Sequence, residues 1–333
     1  MIESKVREAV AAGRGFTLTG NLALTAPLTY PAEITTRSKK IVINLNGFNL
    51  SDGTAAGLPY LIGRIAPDQT TALNKMQDVG FTICDGRISG KTGTLVRIDA
   101  TYGTLIEGIT FSGGDTAVHL QFALMGAVKN CVILNPKQYG VILDRGRWSG
   151  ASNVNSQSNH SRIEQCRVFN ADNAIAAFAV RAASGCVLHQ LISEGRVPQY
   201  HILFDSEGAT VVKDFTATHL HFESTKGNGT RVSPDAGIYI RSSGGYVRLG
   251  SIFSQYDMTL INAEGSNYPH LYVEDTTWLT SGTKFQTGTA HVVWDFNETP
   301  NIDLTDPARW VGSVPYYFYQ RRKGQGEIII KKP

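Results

Sequence analysis

The residues that could do chemistry stand at the ends of short apolar strands. Asp99, Gln121, Asp144, Arg181, Asp205, Arg241 and Asn262 close the segments LVRID, AVHLQ, GVILD, FAVR, ILFD, GIYIR and TLIN. If these strands stack, Asp144, Arg181, Asp205 and Arg241 rise one above another with alternating sign. Such a column is either a solvated ion-pair ladder, each exposed pair worth only ~0–1 kcal/mol, or the wall of a groove for a charged or hydroxylated glycan. Asp144 and Asp205 would be two rungs apart, about 9–10 Å by strand spacing. That is near the separation of an inverting glycosidase pair. Asp144 and Asp205 are therefore the candidate catalytic carboxylates, with Glu207, just past Asp205, as the alternative. Arg181 between them would hold both ionised, whereas a general acid needs a raised pKa.

Binding candidates flank the column. The loop 145–160, RGRWSGASNVNSQSNH, leaves directly after Asp144 and brings Arg145, Arg147 and Trp148 beside it. Tryptophan stacks on sugar rings and arginine grips carboxylates through two parallel hydrogen bonds. The plainer alternative is a solvated loop with Trp148 tucked onto the body of the protein. A second polar loop, 224–235, adds Lys226, Arg231 and Asp235. With Arg181 and Arg241, these arginines make up the expected binding set. His219 and His221 are two apart on one strand, so both should face one side, and a His-x-His pair can ligate zinc. The sequence places no third ligand, and no metal is expected. No Gly-x-Gly-x-x-Gly loop joins a strand to a helix, so no nucleotide cofactor is expected either.

A repeat must position these residues. The segment Ile163–Val168, IEQCRV, returns 24 residues later as Val187–Ile192, VLHQLI. Taking Cys166 as an anchor, the position recurs at Gly86, Gly108, Cys131, Gln190, Asp214, Gly250 and Asp275. Three residues before every anchor is an apolar or aromatic residue, and two residues after it a β-branched one. The spacings are 22, 23, 35, 24, 24, 36 and 25, and each of the two long ones holds one of the polar loops. Insertions at one point of a coil with the period kept are how solenoids accept loops. The strands that end in the charged column run in phase with this series. Two short β-branched strands per period, with Gly and Asn turns, exclude useful helices. The expected fold is all-β: a parallel β-helix of about ten coils, about 50 Å long at strand spacing.

With 333 residues and no linker, the chain reads as one elongated domain. It divides into an N-terminal cap with first strands (1–40), the β-helix (41–295) and a C-terminal cap or subunit-contact segment (296–333). Charged residues are 18% and the net charge is +3, which gives no footprint for nucleic acid. Ile2–Ala12 is the one helix candidate, stopped by Gly13 and placed to cover the open end of the solenoid. Its charged start is not followed by an apolar run, so no signal peptide is expected. No run of 18 apolar residues exists, so no membrane span is expected. The stretch Gly53–Gly80 reads as an irregular excursion. Tyr316, Tyr317, Phe318 and Tyr319 read as a cap or a subunit contact. Cys131 and Cys166 share a column and are expected to stack inward as thiols.

The opening carries a specific likeness. After the helix come AAGRGFTLTGNLALTAPLTYP (11–31) and KKIVINLNGFNLSDGT (39–54). This order resembles the start of the right-handed β-helix of the pectate-lyase superfamily, found in polysaccharide lyases, glycoside hydrolases and bacteriophage tailspikes. INLNGFNLSDG resembles that fold's first full coil, and no complete catalytic motif of pectate lyases or polygalacturonases is matched. The resemblance implies a single-stranded right-handed parallel β-helix. It further implies a bacteriophage virion surface protein, tailspike or capsid- or tail-attached spike, that binds bacterial surface polysaccharide. Such a protein is expected as a homotrimer with other virion proteins as partners. Its expected location is the virion, assembled in the host cytoplasm, or alternatively the extracellular space. Two alternatives stay open: a polysaccharide lyase or glycoside hydrolase working along the rod, and a purely structural decoration protein.

Overall fold

The computed structural model describes residues 2–34, 40–207, 214–223, 233–241, 245–255, 257–264, 270–286, 291–296, 306–311, 317–322 and 328–331. The chain is a right-handed parallel β-helix. One sheet has ten strands, from Leu28–Thr29 at one end to Lys284–Gln286 at the other, and holds the column of charged strand ends. The rest of each coil builds a larger sheet that wraps the other sides. All strand pairs among the described residues are parallel except the last, Tyr317–Arg322 with Ile328–Lys331.

The core follows from the inward residues. Ile83, Ile106, Val128, Ile163, Leu188, Ala217, Leu249 and Val273 lie in register on successive rungs, all buried. Val96, Val118, Val141, Phe178, Ile202, Ile238 and Ile261 do the same in the ten-stranded sheet. Each of these side chains except Ala217 contributes about 1.5–3 kcal/mol on full burial. Cys131 and Cys166 face each other one rung apart as buried free thiols, bonded to the carbonyls of Lys129 (3.1 Å) and Glu164 (3.2 Å).

The corner of each coil corrects the anchor column. The chain turns there through a left-handed residue: Asp85, Gly108, Asn130, Gln165, Gln190, His219 and Ser251, with φ from 50° to 66°. Gly86, Cys131, Cys166 and Gly250 lie one residue off this column, and Asp214 precedes the strand of its coil. The corner tolerates Asp, Asn, Gln, His, Ser or Gly, so it leaves no type signature, and the apolar neighbours admit a one-residue slip.

The helix Ile2–Ala11 covers the first coil with Val6 and Val10. That coil is one turn earlier than expected: Phe16–Thr17, Leu22–Leu24 and Leu28–Thr29 already lie under Lys40–Asn44, Asn49–Asp52 and Tyr60–Arg64. Gly53–Gly80 is likewise not wholly irregular, because it contains the rung Tyr60–Arg64. The true excursion, 65–79, holds the short helix Gln69–Thr71 and a π-turn, Ala72–Met76. Fully buried Arg64 closes it, donating to the carbonyls of Met76 (2.9 Å) and Ala32 (3.0 Å). Burial lowers its pKa to about 10. At the far end Tyr317–Arg322 adds a rung to His291–Phe296. Tyr316 and Arg231 lie outside the described residues.

Candidate functional site

Register brings the predicted column together. Asp99 pairs with Gln121, Gln121 with Asp144, Arg181 with Asp205, and Asp205 with Arg241. The next rung supplies Glu264 in place of Asn262, which sits opposite Tyr239. The column is not a solvated ladder on all its rungs. Asp99 (0%), Gln121 (2%), Asp144 (1%) and Asp205 (4%) are buried. The loop after Asp144 folds back over two of them, with Ser158 Oγ donating to the Asp144 carbonyl and the Arg147 N–H to Gln121 Oε1 (3.1 Å), while Asp99 accepts from the Ala66 N–H of the excursion (3.1 Å) and Asp205 from Glu207 and Arg241.

Glu207 is the hub of the cluster. A left-handed turn (φ 51°) carries it back over the ladder, its own N–H donating to Asp205 Oδ1 at 2.8 Å. It accepts from Arg145 Nε (2.8 Å), Arg147 Nη1 (3.0 Å) and Arg181 Nη2 (2.6 Å). Arg147 also clasps Asp144, through Nη2 to Oδ1 (2.6 Å) and Nε to Oδ2 (3.0 Å). Arg241 grips Asp205 through two bonds of 3.0 and 2.5 Å. His119 Nε2 lies 3.3 Å from Asp144 Oδ2.

These contacts decide the protonation states. Burial alone would raise the Asp144 pKa, but the bonds from His119 and Arg147 outweigh it and hold the carboxyl below its ordinary value. Burial works against ionisation of Glu207 too, and is overcome by Arg147 and Arg145. Arg147, in spite of partial burial, is held above its ordinary value by Asp144 and Glu207. Asp144 and Glu207 are therefore ionised near neutral pH, with arginine bonded to each. Asp99 differs: its burial outweighs Arg97, 3.3 Å away, and raises its pKa, but it has no exposed surface to offer a ligand. The cluster suits fixing anions and presenting cations better than delivering a proton.

Trp148 takes the plainer of its two expected places, tucked onto the body of the protein. It is half-buried against Phe122, ring centroids 6.3 Å apart, and its Nε1–H donates to Gln69 Oε1 at 2.9 Å. Gln69 Nε2–H in turn reaches the Asn155 carbonyl at 2.8 Å. The tryptophan thus latches the loop 145–160 to the excursion 65–79. His219 and His221 do not share a face, because the left-handed corner falls on His219 itself. His219 lies edge-on to His189 (4.8 Å), while His221 stacks on Phe253 (4.5 Å). Asp235 accepts from Gln199 Nε2 at 2.9 Å.

An aromatic shelf that no spacing in the sequence singles out stands next to the ladder. Tyr200 and Tyr239 stack with centroids 4.8 Å apart and planes 25° from parallel. Tyr139 lies on the same face, and together they pack on buried Ile142, Ala176, Ala179 and Leu203, outside the main core. Tyr139 and Tyr200 are both in register with Ala176, so a small residue separates two rings about 10 Å apart by rung spacing. The Tyr239 hydroxyl donates to Glu264 (2.8 Å), and the Tyr200 hydroxyl accepts from Gln199 (3.1 Å). The available signal was a tyrosine starting the strands Tyr139–Asp144 and Tyr200–Asp205.

No protein-family model matches the chain. No curated protein matches it. Among solved structures it is similar to the surface protein and adhesin PfbA of Streptococcus pneumoniae, with 9% identity and a TM-score of 0.46 over 93% of this chain and 82% of that one.

Proposed function

We propose that this protein is a rigid β-helical rod displayed on a bacteriophage virion, where the outer face of its ten-stranded sheet binds a host-surface polysaccharide. The observation that carries the binding role is the half-buried shelf of Tyr139, Tyr200 and Tyr239 bordered by Arg147, Arg181 and Arg241. Sugar rings present C–H faces that pack on aromatic rings, and arginines take hydroxyl and acidic substituents. Binding is favoured over cleavage because Asp144 and Glu207 are both pinned as carboxylates by arginine. Placement on a virion, a homotrimer and virion partners rest on the likeness of the chain's opening to tailspike-type β-helices. The test is a panel of capsular and O-antigen polysaccharides, read for direct binding, reducing-end release and unsaturated uronates. Binding without cleavage that falls at least tenfold in Tyr239→Ala is the expected result, since an aromatic platform contributes about 1.4 kcal/mol or more. Cleavage would replace the proposal with a depolymerase, and no response across the panel would leave a structural role.

A further inference from the structure

A second cleft lies away from the tyrosine shelf, on the wrapping sheet near the capped end. It has a volume of about 500 Å³ and is lined by Asn49, Arg87, Ser89, Thr110, Ser112 and Leu134, among others. The lining residues are polar or small apart from Ile88 and Leu134, and none is a carboxylate. Asn49 and Ser89 exchange hydrogen bonds at 3.3 Å, which fixes one wall. Arg87 is exposed. Among the described residues its guanidinium has no hydrogen-bond or ion-pair partner.

The repeat itself shows what belongs there. Arg87, Thr110, Val132 and Arg167 occupy one outward column on successive rungs. Ser89, Ser112, Leu134, Phe169 and Glu194 occupy the column two residues further along. Arg167 is bonded to Glu194, one rung up in that second column. The position related to Arg87 in the same way is Ser112. Where one arginine of the column meets a carboxylate from its own chain, the other meets a short hydroxyl and an open space.

We infer that this cleft is a binding site for an acidic saccharide unit, whose carboxylate or sulfate takes at Arg87 the place that Glu194 takes at Arg167. Ser89, Ser112, Thr110 and Asn49 are within the cleft to meet its hydroxyls, and Leu134 meets an apolar ring face. The site is separate from the tyrosine shelf and does not depend on it.

The test is calorimetric titration of the full chain with a uronic-acid tetrasaccharide, its neutral counterpart and inorganic sulfate. The acidic tetrasaccharide is expected to bind and the neutral one not to. Arg87→Gln should weaken binding about tenfold or more, the worth of a charge-assisted hydrogen bond. Ser112→Glu should abolish it by supplying the internal carboxylate, while Ser112→Gln, of equal size, should retain it. Tyr239→Ala, which empties the shelf of the preceding proposal, should leave this titration unchanged. No binding of the acidic tetrasaccharide, equal loss in Ser112→Gln and Ser112→Glu, or indifference to Arg87→Gln would overturn the inference. An equal response to sulfate alone would overturn its saccharide part.

Discussion

Arg147→Ala tests whether the clasp over the ladder is a stabilising element. The arginine donates to both oxygens of Asp144 and to both oxygens of Glu207. Glu207 keeps Arg145 and Arg181 when Arg147 is removed. Asp144 keeps only the Arg145 N–H (2.8 Å) and His119 (3.3 Å), and its side chain is 2% exposed. The loss therefore concentrates on one buried carboxylate that water cannot easily reach. Breaking a buried ion pair from one side costs about 3–5 kcal/mol. Because the Arg147 side chain is 27% exposed, water screens and partly replaces it, and about 2–3 kcal/mol is expected. For a chain of this length that lowers the thermal midpoint by about 3–4 °C. Asp144 and Glu207 have pKa values lowered by folding, so their contribution is complete above the ordinary carboxylate range and is lost as pH falls through the folded values. The deficit of the variant should be greatest near neutral pH and close in acid. Thermal unfolding followed by circular dichroism, with Asp144→Asn and the double variant, completes the cycle. Coupling of about 1–2 kcal/mol between the two sites is expected. A loss below about 0.5 kcal/mol, or additive losses, would refute the clasp.

Two further variants probe the interior and the loop. His201 is fully buried, stacked on Phe222 and bonded to Ser193 Oγ at 2.6 Å, and burial lowers its pKa from 6.5 to about 3. Only the unfolded chain takes up the proton as pH drops below about 6.5. Stability should then fall by up to ~1.4 kcal/mol per pH unit until the folded pKa is reached. Denaturant midpoints between pH 6.5 and 5 should show this slope and lose it in His201→Phe combined with Ser193→Ala. An unchanged slope would assign the acid sensitivity elsewhere. Trp148→Ala should cost about 2 kcal/mol, since the half-buried ring leaves Phe122 and Gln69, and should spare polysaccharide binding. Lost binding with intact stability would restore Trp148 as a sugar contact.

The inward half of the fold was legible in the sequence and the outward half was not. Ile106, Val128 and Ile163 must each cover the rung below, so packing imposes type and spacing, and the period survives two long loops. The ladder was also legible as a column, because strand ends inherit the register of the strands. Its burial was not, since that depends on loop return: Glu207 reaches Arg147 across 60 residues, and no local pattern carries such a contact. For the same reason nothing in the sequence raises Glu207 above an alternative to Asp144 and Asp205, although three arginines converge on it. Which of its two places Trp148 takes is not legible either, because its partner, Gln69, belongs to an excursion 79 residues earlier. The tyrosines carry no such signal, because outward positions in a solenoid follow no shared core and each rung is free to differ. That freedom is also what makes outward differences informative. Arg87 and Arg167 stand at the same place on two rungs, and only one has a carboxylate beside it. Within one chain the repeat thus supplies its own comparison, and a departure between equivalent rungs points to a ligand where the backbone geometry alone would not.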